Sequence, residues 1–153
     1  MAWNTDATAS SYLTFKTVNA NTLAERLRIT SAGDIYSDAW TDISGTSTIV
    51  GWSSFTTKLI QYKRIGKLVF VKYELVGTSN SVLADFTLPF TNNSQVDVEA
   101  ACLIRDNGSA FAMSRANMPA SDTRMFCYPT PAAGNWTNTG TKDCRGQFFF
   151  QTT

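Results

Sequence analysis

Short runs of alternating apolar and polar residues, each closed by turn residues, recur along the chain with no long helical period among them. In residues 67–76, Val69, Val71, Tyr73 and Leu75 point one way, while Phe70, Lys72 and Glu74 point the other. That two-residue period belongs to a strand with one face buried. Residues 82–88 repeat it, with Val82, Ala84, Phe86 and Leu88 set against Asp85 and Thr87. So do residues 95–105, with Val96, Val98, Ala100, Cys102 and Ile104 inward and Asp97 and Glu99 outward. Residues 55–62, 109–115, 123–128 and 147–152 complete a set of seven or eight expected strands. Turns are expected at Lys63-Arg64-Ile65-Gly66, at Gly77-Thr78-Ser79-Asn80-Ser81 and at Asp106-Asn107-Gly108. In the last, Asn-Gly accepts the positive φ values of a type I′ hairpin turn. Such spacing predicts an all-β chain, an antiparallel sandwich or jelly roll.

The first 40 residues read differently from residues 41–153, and the domain border is drawn there. Tyr12-Leu13-Thr14-Phe15-Lys16-Thr17 alternates, a polar turn follows at Asn19-Ala20-Asn21-Thr22, and Ala24-Glu25-Arg26-Leu27-Arg28-Ile29-Thr30 comes next. In this second run Leu27 and Ile29 share a face with Glu25, opposite Arg26 and Arg28. Two short strands form a β-hairpin with too little apolar surface to stand alone, so it must lean on the following domain or on copies of itself.

Composition narrows the chemistry. The chain has 153 residues, enough for one domain with a small appendage, and 13 Lys+Arg against 12 Asp+Glu. A net charge of +1 gives no basic excess with which to capture nucleic acid. The one basic concentration, Lys58, Lys63, Arg64, Lys67 and Lys72, flanks a hairpin turn, where charge keeps edges soluble. Histidine is absent, which removes Ser-His-Asp and Cys-His catalysis in their usual forms and most catalytic zinc sites. Cys102, Cys127 and Cys144 form no C-x-x-C pair, so neither a metal nor any other cofactor is expected, and Cys102 reads as a buried thiol. The three cysteines and an N-terminus without a basic or apolar leader fit synthesis in a reducing cytoplasm. No apolar run approaches the ~20 residues of a membrane-spanning helix, so no membrane insertion is expected.

Two features bear on function. Asp97 and Glu99 share a strand face, as a glycosidase pair could, but alternation turns both to solvent with no apolar pocket beside them. No catalytic residue is assigned, and the chain reads as non-enzymatic. Recognition instead falls to loops at one end of the sandwich, above all residues 129–142. There Trp136, flanked by Asn135, Thr137 and Asn138, with Tyr128 just before the loop, would offer a stacking face among hydrogen-bonding groups, as an uncharged glycan requires. The competing expectation is that Trp136 packs against a neighbouring subunit.

Three stretches resemble tail-fibre and receptor-binding proteins of bacteriophages and prophages. Tyr12-Leu13-Thr14-Phe15 followed by Glu25-Arg26-Leu27-Arg28-Ile29-Thr30-Ser31-Ala32-Gly33-Asp34 is similar to a hairpin that recurs in trimeric fibre stalks. Gly51-Trp52-Ser53-Ser54-Phe55, Tyr62-Lys63-Arg64-Ile65-Gly66-Lys67, Gly77-Thr78-Ser79-Asn80-Ser81 and Phe86-Thr87-Leu88-Pro89-Phe90 follow the order of a β-sandwich domain near the C-termini of phage virion proteins. Gly146-Gln147-Phe148-Phe149-Phe150 resembles its closing strand. One departure stands out: stalk copies continue into a glycine-valine-glycine-isoleucine-glycine run, whereas here Asp34-Ile35-Tyr36-Ser37-Asp38 leads straight to the sandwich. The resemblance implies a homotrimer on the virion, made in the bacterial host cytoplasm, with Leu13, Phe15, Leu27 and Ile29 near the threefold axis. It implies contacts with other virion proteins and with a host surface glycan or protein. The leading expectation is a receptor-binding head on a tail fibre; the alternative is a trimeric capsid decoration protein that grips the shell through its N-terminal segment.

Overall fold

The computed structural model describes residues 12–19, 22–33, 35–37 and 40–153. Among them every regular element is a strand, and the fold is all-β. The chain divides into two compact units at Ala39–Trp40.

The first unit is an antiparallel sheet of β1 (Tyr12–Asn19), β2 (Thr22–Thr30) and β3 (Ile35–Ser37), with β2 in the middle. The expected hairpin is present, and β3 is an addition, since three residues are too few for alternation to announce. Leu13 lies opposite Ile29 and Phe15 opposite Leu27, so the four share one face. Past that point the register slips: Lys16 faces Glu25, leaving Arg26 as the extra residue of a β-bulge. The bulge corrects the expectation that Glu25 sits with Leu27 and Ile29. It turns Glu25 to the side of Arg28, whose guanidinium meets both carboxylate oxygens at 2.9 and 3.0 Å. The same guanidinium lies 4.7 Å from the centre of the Tyr12 ring. One face thus carries the charges, and the other is apolar.

The second unit is one nine-stranded antiparallel sheet. Its strands are β4 (Thr41–Asp42), β5 (Ile49–Val50), β6 (Trp52–Ile65), β7 (Leu68–Ser79), β8 (Asp85–Thr87), β9 (Val98–Asp106), β10 (Ala112–Met118), β11 (Arg124–Cys127) and β12 (Thr141–Gln151). They lie in the order β4-β6-β7-β12-β9-β10-β11-β8-β5. Gly51 alone separates β5, at one end of that order, from β6, next to the other. The sheet must therefore curl until its ends approach, giving a sandwich-like fold. Ile60, Val71, Leu75, Phe86, Met118 and Met125 fill the space it encloses.

Several strand limits differ from expectation, each for a tertiary reason. The turn at residues 63–66 contracts to Gly66-Lys67, because Ile65 already pairs with Leu68. Residues 77–79 are strand rather than turn: β6 and β12 hold β7 from both sides, and main-chain Ser54 fills the space a Gly77 side chain would need. Val82 and Val96 are exposed and lie outside the strands. β12 starts six residues earlier than the sequence suggests, through the charged pair Lys142-Asp143, both fully buried.

The Asn107-Gly108 turn has the expected dihedral signs, with φ of 48° and 74°, and is closed by Ser109 N–H to Asp106 C=O at 2.9 Å. No atom would touch a side chain at Gly108. Gly108→Val should therefore cost only backbone strain, about 1–3 kcal/mol in a denaturant titration.

Candidate functional site

The loop between β11 and β12 does not present Trp136 as the expected stacking face. Trp136 is 2% exposed and belongs to the core. Its indole N–H donates to Cys127 C=O at 2.8 Å, and its main-chain N–H to Val82 C=O at 3.0 Å. An amphipathic ring whose one polar atom finds an internal partner loses nothing by burial. Both expectations for this ring are thereby corrected: it offers no stacking face to a ligand, and it packs within its own unit. Thr137 is engaged too, its N–H and hydroxyl both donating to the Asp106 carboxylate at 3.0 Å. Asn135 and Asn138 are exposed, while Tyr128 is half-buried with the Arg115 guanidinium 4.7 Å from its ring centre. Tyr128, Asn135 and Trp136 border a pocket of about 60 Å³, well below the ~300 Å³ at which small-molecule sites begin.

What the loop helps to build is an internal cation site. Lys142 enters the core from the start of β12 and donates to the carbonyls of Ser81 and Leu83 at 2.7 and 2.8 Å. Trp52 and Trp136 flank the ammonium, their ring centres 5.3 and 5.1 Å away. Two carbonyls and two indole faces replace much of the lost hydration. Burial still dominates and lowers the lysine to about 8, with Asp106 pulling the other way. Nothing in the local pattern announces this residue, since it sits between a threonine and an aspartate in a polar stretch.

The carboxylates Asp97 and Glu99 are bound by neighbours. Asn117 donates to both, at 3.2 and 2.9 Å; Arg115 pairs with Glu99 at 3.0 Å, and Ala120 N–H reaches Asp97 at 3.0 Å. The Ala120 and Asn117 bonds hold the Asp97 carboxyl below its ordinary value, opposite to the raised value a general acid needs. Around Tyr73, Cys127 and Cys144 lie 3.8 and 4.0 Å from the phenol oxygen, and all three cysteines are buried free thiols. Burial raises Tyr73 and Cys144 well above their ordinary values. Among the described residues no group of three or more His, Cys, Asp or Glu side chains gathers as a metal site.

A further opening lies on the sheet itself. A slot of about 800 Å³ runs between β12 and β9, rimmed by Trp40, Phe70 and Phe149, with Val98, Ala100 and Phe148 deeper in. Phe149 is 63% exposed, and Lys72 sits 4.7 Å over the Trp40 ring. Sequence reasoning missed the slot because it depends on two strands parting.

The N-terminal unit has its own uncovered surface. Leu13 and Phe15 are 55% and 51% exposed on the face they share with Leu27 and Ile29. At the hairpin's far end Val18 and Leu23 face each other and are also exposed.

The class these features define is an all-β protein with a curled, sandwich-like antiparallel sheet and a separate small β-sheet unit. No family model matches the chain, and no curated protein or solved structure matches it.

Proposed function

We propose that the chain is a non-enzymatic surface protein of a bacteriophage virion, a trimeric receptor-binding head of the tail-fibre kind that recognises a component of the bacterial surface. The observation that carries this reading is the apolar face of the N-terminal sheet. The cross-strand pairs Leu13–Ile29 and Phe15–Leu27 line it, and Leu13 and Phe15 remain more than half exposed. A stripe of this kind is costly to leave in water, at about 1.5–3 kcal/mol for each large side chain that packing could cover. Threefold association would cover it with three copies of itself, in the hairpin whose sequence resembles trimeric fibre stalks.

Sedimentation of the full chain tests this. A species of three times the 16.8 kDa protomer is expected at micromolar concentration. The double variant Leu13→Asp, Phe15→Asp should raise the dissociation constant at least about 100-fold, the equivalent of about 3 kcal/mol. A wild-type protein that sediments as one chain would end the trimer reading. Antibody labelling of virions then separates fibre from capsid: label at the tail tip fits a receptor-binding head, and label over the shell assigns decoration instead.

A further inference from the structure

Strands β12 and β9 are neighbours in the sheet, yet they pair over five residues only, from Lys142 with Asp106 to Gly146 with Cys102. β12 continues to Gln151 with β7 on its other side, and β9 reaches back to Val98 with β10 on its other side. Between residues 147–149 and 98–101 the sheet stands open, and that opening is the slot of about 800 Å³.

Strand alternation shows which main-chain groups point into it. On the β9 side, the carbonyls of Thr141 and Gln151 accept from Asn107 and Asn93. On the β7 side, the Gly140 carbonyl accepts from Ser79, and Thr152 donates to Lys67. Odd-numbered residues of β12 therefore direct both main-chain groups toward β9, which aims those of Phe149 into the slot. The Asn107 bond sets the same parity on β9, so Glu99 aims its N–H and C=O back across the gap. Among the described residues no hydrogen bond closes either set.

We propose that this slot binds an extended, uncharged polypeptide segment of a partner protein, about three residues of it by strand addition. Facing donors and acceptors without partners form a template for one more strand. The walls select the rest of its chemistry. Val98, Ala100 and Phe148 offer an apolar seat for one inward side chain, and Trp40, Phe70 and Phe149 offer ring faces to an outward one. Glu99, the one carboxylate among the lining residues, is already paired with Arg115 at 3.0 Å, so a basic segment finds no free carboxylate there. The proposal does not depend on a place in a virion or on the trimer.

Native-state hydrogen exchange and a displayed library of random ten-residue peptides test it together. In the free protein, the amides of Phe149 and Glu99 should exchange at least tenfold faster than those of Phe148 and Ala100, which face β7 and β10. Peptides selected on the wild type should slow Phe149 and Glu99 specifically. They should lose at least tenfold in affinity on Ala101→Trp, which fills the slot from an exposed position. Phe149→Pro removes the slot-facing N–H without touching the β7 ladder and should weaken the same peptides. Thermal unfolding confirms that each variant is folded. Equal protection of all four amides in the free protein would overturn the proposal. So would peptides indifferent to both variants, or protection of Phe149 and Glu99 by maltotriose with no peptide selected.

Discussion

Trp136→Ala is expected to lower the unfolding free energy by about 3–5 kcal/mol, the range for truncating a buried tryptophan. Three losses combine. The ring's apolar area leaves the core, Cys127 C=O loses its donor, and Lys142 loses one of its two indole faces. For a chain of this size that corresponds to a fall in melting temperature of roughly 10 °C, readable by calorimetry. Asn135→Ala and Asn138→Ala, on the same loop with exposed side chains, should stay within about 0.5 kcal/mol of wild type. A Trp136→Ala protein that melts with the wild type would mean that the ring is not in the core.

The second large effect depends on pH and concerns Lys142. In the folded chain it gives up its proton near 8, and in the unfolded chain at 10.5. Between those values the unfolded state binds the extra proton, so the stability contributed by this position rises with pH. Below about pH 8 both states carry the charge, and the folded one bears the full cost of burying it. The gap of pKa values amounts to about 3 kcal/mol across the window. Cys144 and Tyr73 act in the opposite sense once their unfolded forms ionise, above about pH 9 and 10, because burial keeps both neutral in the fold. The lysine is therefore isolated by comparison with Lys142→Met. From pH 7.5 to 10.5 the stability of the wild type relative to the variant should climb by about 3 kcal/mol in denaturant titrations. A flat difference would show that the ammonium is not desolvated.

Alternation was a reliable guide where a strand has one wet and one dry face. Val69, Val71, Tyr73 and Leu75 are buried as the period of two requires, and Asn107-Gly108 turns the chain as its backbone freedom dictates. It failed where burial is not apolar. Lys142 and Asp143 open β12 in the core, Lys142 on two carbonyls and Asp143 on the Arg145 guanidinium at 2.8 Å. Residues 77–79 failed for the reverse reason: glycine and serine normally mark a turn, but two flanking strands hold them straight.

The site followed the same division. A tryptophan among asparagines reads as a ligand platform only while its own neighbours are unknown, and the two hydrogen bonds it donates to the Cys127 and Val82 carbonyls place it inside. Glu25 shows how far one residue matters: period two puts it with Leu27, and the bulge at Arg26 turns it to Arg28.

The sequence by itself determined the all-β class, the inward set of the long strands, the hairpin turn at Asn107-Gly108 and the shared apolar face of Leu13, Phe15, Leu27 and Ile29. Each follows from dihedral preference or period along a single strand, which neighbours in the chain suffice to set. Only the tertiary structure decided the strand order, the cage around Lys142, the burial of Trp136 and the parting of β12 from β9. Those depend on which strands, distant in sequence, come to lie side by side and on whether a polar group finds its partner there, and no local pattern carries that information.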